Sequence, residues 1–116
     1  MFKTAKELKV VDREGFKGGL GRTQAIEILS PDELCSAGRL FSVTIMPPGS
    51  SIGYHHHEGE FEVYYILSGE ADVTIDGETR RLYAGDMTCC QDGSSHGISN
   101  PGAEDLRYIA AILYTH

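Results

Sequence analysis

Residues 53–69, GYHHHEGEFEVYYILSG, gather three histidines and three glutamates just ahead of an apolar run. Imidazoles and carboxylates are the donors that divalent transition metals take from proteins, the first neutral and the second anionic. On an extended chain, residues two apart lie on one face, roughly 6.5 Å apart along the strand. His55 and His57 therefore share a face, and His56 points the other way. Two imidazoles at that spacing converge on one ion at about 2.0–2.2 Å each. Glu62 begins the next strand and can return a carboxylate to the same point. Glu60, two residues earlier, keeps the same face and is the competing ligand. Gly59 favours a turn before Glu60, which leaves Glu62 as the first carboxylate firmly on the apolar strand. His96, in DGSSHGISN, completes a shell of three histidines and one carboxylate, whereas His56 and His116 fit no shared metal point.

Strands must hold these residues. Candidates are 24–29, 40–46, 54–57, 61–67, 70–75, 78–83, 87–90, 95–99 and 105–114, punctuated by Pro47-Pro48-Gly49, Ser68-Gly69, Asp76-Gly77, Gly85-Asp86 and Asn100-Pro101-Gly102. Asp76-Gly77 between ADVTI and ETRRL is a hairpin signal, because this pair tolerates the positive φ of a type I′ turn. Thr4-x-x-Glu7 and Ser30-x-x-Glu33 fit the capping box, and Pro31 and Gly38 bracket the second. They predict two short helices near 5–9 and 31–36. Many short strands in regular succession indicate an all-β sandwich or barrel. GFKGGLG, residues 15–21, completes no phosphate-loop pattern and reads as a plain flexible loop. The strand FEVYYIL is apolar on both faces, as is LRYIAAILY at 106–114. In so short a chain a second subunit is the economical cover, so a homodimer is expected.

At this point the chain resembles a family. Gly49-x5-His55-x-His57-x4-Glu62-x6-Gly69 is similar to the first signature of the cupins. Gly85-x5-Gln91-x-Gly93-x2-His96-x3-Asn100 is similar to the second, with Gln91 where the family usually has Pro. The resemblance implies one cupin jelly-roll β-barrel over residues 1–116, with short N-terminal helices and a metal-site core at 49–100. It implies His55, His57, Glu62 and His96 as metal ligands, glycines at turns, and Asn100 fixing the turn after the His96 strand. Small single-domain cupins, some of them oxalate-decarboxylase-like, are the nearest pattern. One fold hosts many chemistries, so the reaction is not implied with equal force.

The chemistry of the donor set narrows the ligand. Three nitrogens and one oxygen suit manganese, iron, cobalt, nickel or zinc, and leave coordination positions open. A doubly charged ion beside one carboxylate keeps a net charge of +1. It attracts a small chelating anion or sugar-like acid and stabilises a developing enolate. A metal-dependent decarboxylase, isomerase or oxygenase is expected, with a non-catalytic ligand-binding or sensing cupin as the alternative. Glu60 and Tyr64 are the candidates for proton transfer. Tyr54, Tyr108, Arg39 and Arg107 also flank the site. Either arginine, if turned inward, would favour a carboxylate by bidentate pairing, but strand parity is open for both.

A formal net charge of −7 over 116 residues, with no basic stripe, excludes nucleic acid and disfavours an anionic membrane surface. No stretch of 18 apolar residues is present, and MFKTAKELKV lacks the apolar core of a signal peptide, so a cytoplasmic location is the default expectation. Cys35, Cys89 and Cys90 read as reduced thiols, since strand neighbours face opposite sides.

Overall fold

A computed structural model describes residues 1–116. Ten strands run in chain order: β1 Lys9–Glu14, β2 Arg22–Leu29, β3 Gly38–Met46, β4 Ser51–His56, β5 Glu60–Ser68, β6 Glu70–Ile75, β7 Glu78–Tyr83, β8 Met87–Cys90, β9 Ser95–Ser99 and β10 Leu106–Tyr114. They form two antiparallel sheets, of order β1-β2-β3-β10-β5-β8 and β4-β9-β6-β7. The sheets face each other as a jelly roll, and no helix is long and apolar enough to cross a membrane.

Alternation sets what fills the space between the sheets. Tyr64 and Ile66 of β5, Tyr108 and Ala110 of β10, and Ile52 and Ile98 of the opposite sheet join one buried apolar cluster. Burying such side chains contributes roughly 1.5–3 kcal/mol each, and this cluster holds the sheets together. It occupies one part of the interior, and the histidines and glutamates occupy another. Asp76 and Gly77 both adopt positive φ (46° and 86°), as the hairpin signal requires. The turn after β9 is tied by Asn100, which donates to the carbonyls of Met46 and Glu104 at 2.8 Å each. Gln91 does not disturb its turn: its carbonyl accepts the Ser94 N–H at 3.0 Å.

Neither expected helix forms as such. Residues 5–7 make one 3-10 turn, and β1 begins at Lys9; this strand was not anticipated. At Ser30 the capping box is made in both directions, Ser30 N–H to Glu33 at 2.8 Å and Glu33 N–H to Ser30 Oγ at 3.2 Å. The chain then leaves helical geometry, because Cys35 and Ser36 take positive φ (51° and 66°) and Gly38 starts β3. A capping box nucleates a turn, but a short segment does not propagate without a packed face.

Irregularities in pairing matter more for the site. On β3, Gly38 opposes Leu113 while Leu40 opposes Ile112, so Arg39 is the extra residue of a β-bulge. On β4 the register slips between Ile52 and His55, opposite Ile98 and His96. Bulges re-aim side chains and tend to cluster near functional sites.

Candidate metal centre

His55 lies on β4, His96 opposite it on β9, and Glu62 on β5 of the other sheet. His57 follows β4, in a connection that Gly59 turns with φ 76°. Asp92 accepts the Gly59 N–H at 2.8 Å and so anchors that turn. Donor atoms of His55, His57, Glu62 and His96 all lie within 4.8 Å of one another. His57 Nε2 and His96 Nε2 stand 3.0 and 2.8 Å from Glu62 Oε1 and 3.1 Å from each other. His55 Nε2 is 3.7 Å from the same oxygen. Neighbouring donors around an ion with bonds of about 2.1 Å are separated by roughly 3.0–3.4 Å, so the spacing suits a coordination shell.

The tautomers make the case stronger. The Gly53 carbonyl can only accept, so His55 Nδ1 donates to it at 2.7 Å. His57 Nδ1 lies 2.5 Å from Glu60 Oε2 and donates to that carboxylate. When neutral, both rings therefore turn Nε2 lone pairs toward a carboxylate oxygen that is itself only an acceptor. Lone pairs facing lone pairs repel unless positive charge lies among them. That charge is either an added proton on an imidazole or a metal ion, and a donor set of this composition fits the metal. The third ring is held differently: His96 stacks on Tyr64 with centroids 4.9 Å apart and planes 14° from parallel. His96 Nδ1 is buried without a hydrogen-bond partner.

Electrostatics agree with this arrangement. Burial alone would raise the Glu62 carboxyl, but the three imidazoles hold it well below the usual carboxylate range. The hydrogen bond to Glu62 raises His57, while burial lowers His96. Burial pushes the Tyr64 phenol well up, so it stays a neutral donor. Its hydroxyl is 3.5 Å from His96 Nε2, at the edge of the donor group. Cys90, on the inner face beside Glu62, is pushed up to about 12 by burial and is inert as a thiolate.

Glu60 sits behind His57 rather than among the converging donors. Arg39 grips it with two hydrogen bonds, Nε to Oε1 at 2.8 Å and Nη2 to Oε2 at 2.7 Å. That pairing, and then the His57 bond, hold Glu60 below its ordinary value. A cavity of ≈ 250 Å³ opens over the centre, and Arg39, His55, His57, Glu62, Tyr64 and Tyr108 are among its walls. The β3 bulge thus settles the parity of Arg39: its side chain faces the cavity. Arg107 is exposed on β10, and Tyr54 and His56 point outward. The cavity also takes Arg13, Lys17 and Glu27, none of which was singled out from the sequence. KVVDRE, which is strand β1, carries Arg13, whereas Lys17 lies in the turn that follows and Glu27 on β2.

Comparison with known proteins agrees with the geometry. The Cupin_2 family model, a cupin domain, matches residues 42–112. An oxalate-binding protein of Thermotoga maritima is 42% identical over 97 residues, spanning 84% of this chain and 80% of that one. The crystal structure of a predicted oxalate decarboxylase from Thermotoga maritima superposes with a TM-score of 0.94 at 38% identity, covering 98% of this chain and 99% of that one. KdgF from Halomonas sp. shares the fold, with a TM-score of 0.75 at 19% identity over 97% of this chain and 94% of that one. Two signatures, a jelly roll and a converging donor group thus meet in one chain, which belongs to the cupin family.

Proposed function

We propose that the chain holds one divalent transition metal through His55, His57, Glu62 and His96, and uses it to bind and transform a small oxygen-rich carboxylate. The observation that carries this reading is the pair of Nε2 lone pairs turned on Glu62 by the Nδ1 bonds to Gly53 and Glu60. Manganese, iron, cobalt, nickel and zinc all suit the donors. The ion, when bound, supplies a Lewis acid that polarises a carbonyl or carboxylate oxygen.

The protein side chains do the rest. Glu60 fixes the tautomer and direction of the His57 ring, and Arg39 fixes Glu60. Tyr64, kept protonated by burial, donates a hydrogen bond to an oxygen of the ligand beside His96. Tyr108 and Ala110 form an apolar wall that excludes water. A cavity of ≈ 250 Å³ corresponds to about eight water volumes, which limits the ligand to a small metabolite. The oxalate-binding relative makes oxalate the first acid to try. A second reading is binding without turnover. It is favoured by Glu60, the carboxylate expected from the sequence to transfer a proton, being engaged by both Arg39 and His57.

The apolar outer face of β5 and β10 adds a partner to this reading, a second copy of the chain. Phe61, Val63, Tyr65 and Leu67 alternate with the site residues and remain half-buried or exposed.

Metal analysis of tag-free protein tests the centre, with about one ion per chain expected. Protein that binds none of the five ions after incubation would overturn it. Calorimetry with oxalate and 2-oxo acids, followed by assay of the bound acid for conversion, then separates an enzyme from a binder.

A further inference from the structure

Residues 15–21 are not a loop hanging free of the fold. The Phe16–Gly18 turn packs on β4, the strand that carries His55. The approach is so close that a Cβ on Gly53 would lie 1.8 Å from the Lys17 carbonyl oxygen. Leu20 and Ser51 exchange two more hydrogen bonds, the Ser51 N–H donating to the Leu20 carbonyl at 2.9 Å and the Leu20 N–H to Ser51 Oγ at 2.8 Å. Gly53 also accepts the Nδ1 proton of His55, so one residue joins this segment to the donor group. Phe16 packs against the core and forms the base on which two cations rest. The Arg13 guanidinium lies 4.1 Å from its ring centroid and Lys17 Nζ lies 5.5 Å from it. Both side chains line the same cavity as His55 and Glu62, and neither forms an ion pair.

We infer that Arg13 and Lys17, seated on Phe16, form a second anion subsite that selects a dianionic small molecule with one acidic group at the metal and another beyond it. The inference rests on the metal-centred reading above and names the substrate class of that same site. Charge decides between a monoanion and a dianion. The ion with Glu62 carries +1, and Arg39 is already neutralised by Glu60. On the wall, Arg13 and Lys17 outweigh Glu27, leaving +1 more. A cavity with two positive charges to satisfy, inside a chain of net charge −7, complements a doubly negative ligand. Unpaired guanidinium and ammonium groups at its wall are free to take the second anionic end. Glu27, on the same wall, weakens that end and tunes the preference.

The test uses full-length protein reconstituted with cobalt(II), whose content is measured before titration. Calorimetry compares two dianions, malonate and succinate, with two monoanions of matched length, propionate and butyrate. Wild type is expected to prefer the dianions by about tenfold or more, the scale of one charge-assisted contact. Arg13→Gln and Lys17→Gln should each remove most of that preference while cobalt content and monoanion binding stay at wild-type levels. Arg13→Lys should restore part of it, and Glu27→Gln should increase it. Equal loss of monoanion and dianion binding in Arg13→Gln, or an undiminished preference in the double variant, would overturn the subsite. Wild type that keeps cobalt and binds propionate without preferring malonate refutes the subsite alone. Wild type that holds neither cobalt nor any of the other four ions, or that binds none of the four acids, refutes the metal-centred reading and the subsite with it.

Discussion

The two faces of β5 hold opposite chemistry on the same nine residues. Inward, Glu60, Glu62, Tyr64 and Ile66 are all buried, two of them as carboxylates. Outward, Phe61 and Val63 are only partly covered, and Tyr65 and Leu67 remain 44% and 41% exposed. Charge is inside and apolar surface outside, the reverse of an ordinary surface strand. Each face is explained by its partners. Glu62 tolerates burial because three imidazoles surround it, and Glu60 because Arg39 and His57 hold it. The outer face has no such company within the chain. On the proposed reading, an inverted strand of this kind serves a site on one side and an interface with a second copy on the other.

The largest effect should come from the inner face. Glu62→Gln removes the only anionic donor and leaves three imidazoles around an uncharged amide. Metal affinity is expected to fall by more than about a hundredfold, beyond the range of residues that only orient ligands. His57→Ala should do the same while the two sheets stay folded, since the apolar cluster does not include His57. Metal content after dialysis, alongside circular dichroism, checks both. Full occupancy in either variant would show that the inner face is not a metal centre.

The outer face gives the complementary break. Tyr65→Asp places a charge in the middle of the apolar face without touching the donors on the inner side. If a second copy covers this face, light scattering should report a fall from a dimer to the 12.7 kDa monomer. A change of at least about tenfold in the dimer constant is expected for a charge desolvated without a partner. Metal content should not move. A wild-type mass of 12.7 kDa at micromolar concentration would dispose of the interface.

Much of this contrast is legible in the sequence, because strand alternation and hairpin chemistry are local. His55 and His57 could be assigned to one face from spacing and Glu62 to the start of the strand that returns toward them, and Asp76-Gly77 located its turn. Arg39 could not be placed, because the bulge that turns it inward depends on how β3 pairs with β10. Arg13 and Lys17 escaped for a related reason: β1, which carries Arg13, has a weak local signal and gains its structure from pairing with β2, and Lys17 lies in a glycine-rich turn that is placed by packing on β4. Ser30 and Glu33 misled in the opposite direction. Their capping box is real, but nothing downstream packs to extend it into a helix.

A smaller effect lies one residue pair back from Glu62. Glu60→Gln keeps the shape of the side chain but loses its charge toward Arg39 and His57. Metal affinity should drop by about ten- to a hundredfold, less than for Glu62→Gln. Greater metal loss from Glu60→Gln would exchange the roles of the two glutamates. The pH dependence has a definite sign. Arg39 first, and His57 after it, hold folded Glu60 below its ordinary value. A carboxylate depressed in this way stabilises the fold above its unfolded value and stops doing so as pH falls through its folded value. In metal-free protein, the difference in Tm between wild type and Glu60→Gln should be widest above about pH 5 and close in stronger acid. A gap that widened on acidification would contradict the Arg39–Glu60 pairing.

The smallest effect isolates parity itself. His56 stands between two members of the donor group, yet it is exposed and meets only Ser95 Oγ, at 3.0 Å from its Nδ1, and Glu58, at 3.9 Å from its Nε2. An exposed contact of this kind contributes less than about 1 kcal/mol. His56→Ala should therefore leave metal content and ligand affinity unchanged and shift Tm by only a few degrees. Its neighbour offers the internal control, because His55→Ala removes a ring locked to Gly53 and aimed at Glu62. The two variants delete the same side chain from adjacent positions on one strand, so any difference between them reports which way each ring points. Measured under one protocol, metal loss in His55→Ala with none in His56→Ala is the expected pair of results. Equal loss from both would mean that the strand does not alternate through the site and that the inner face has been drawn one residue out of register.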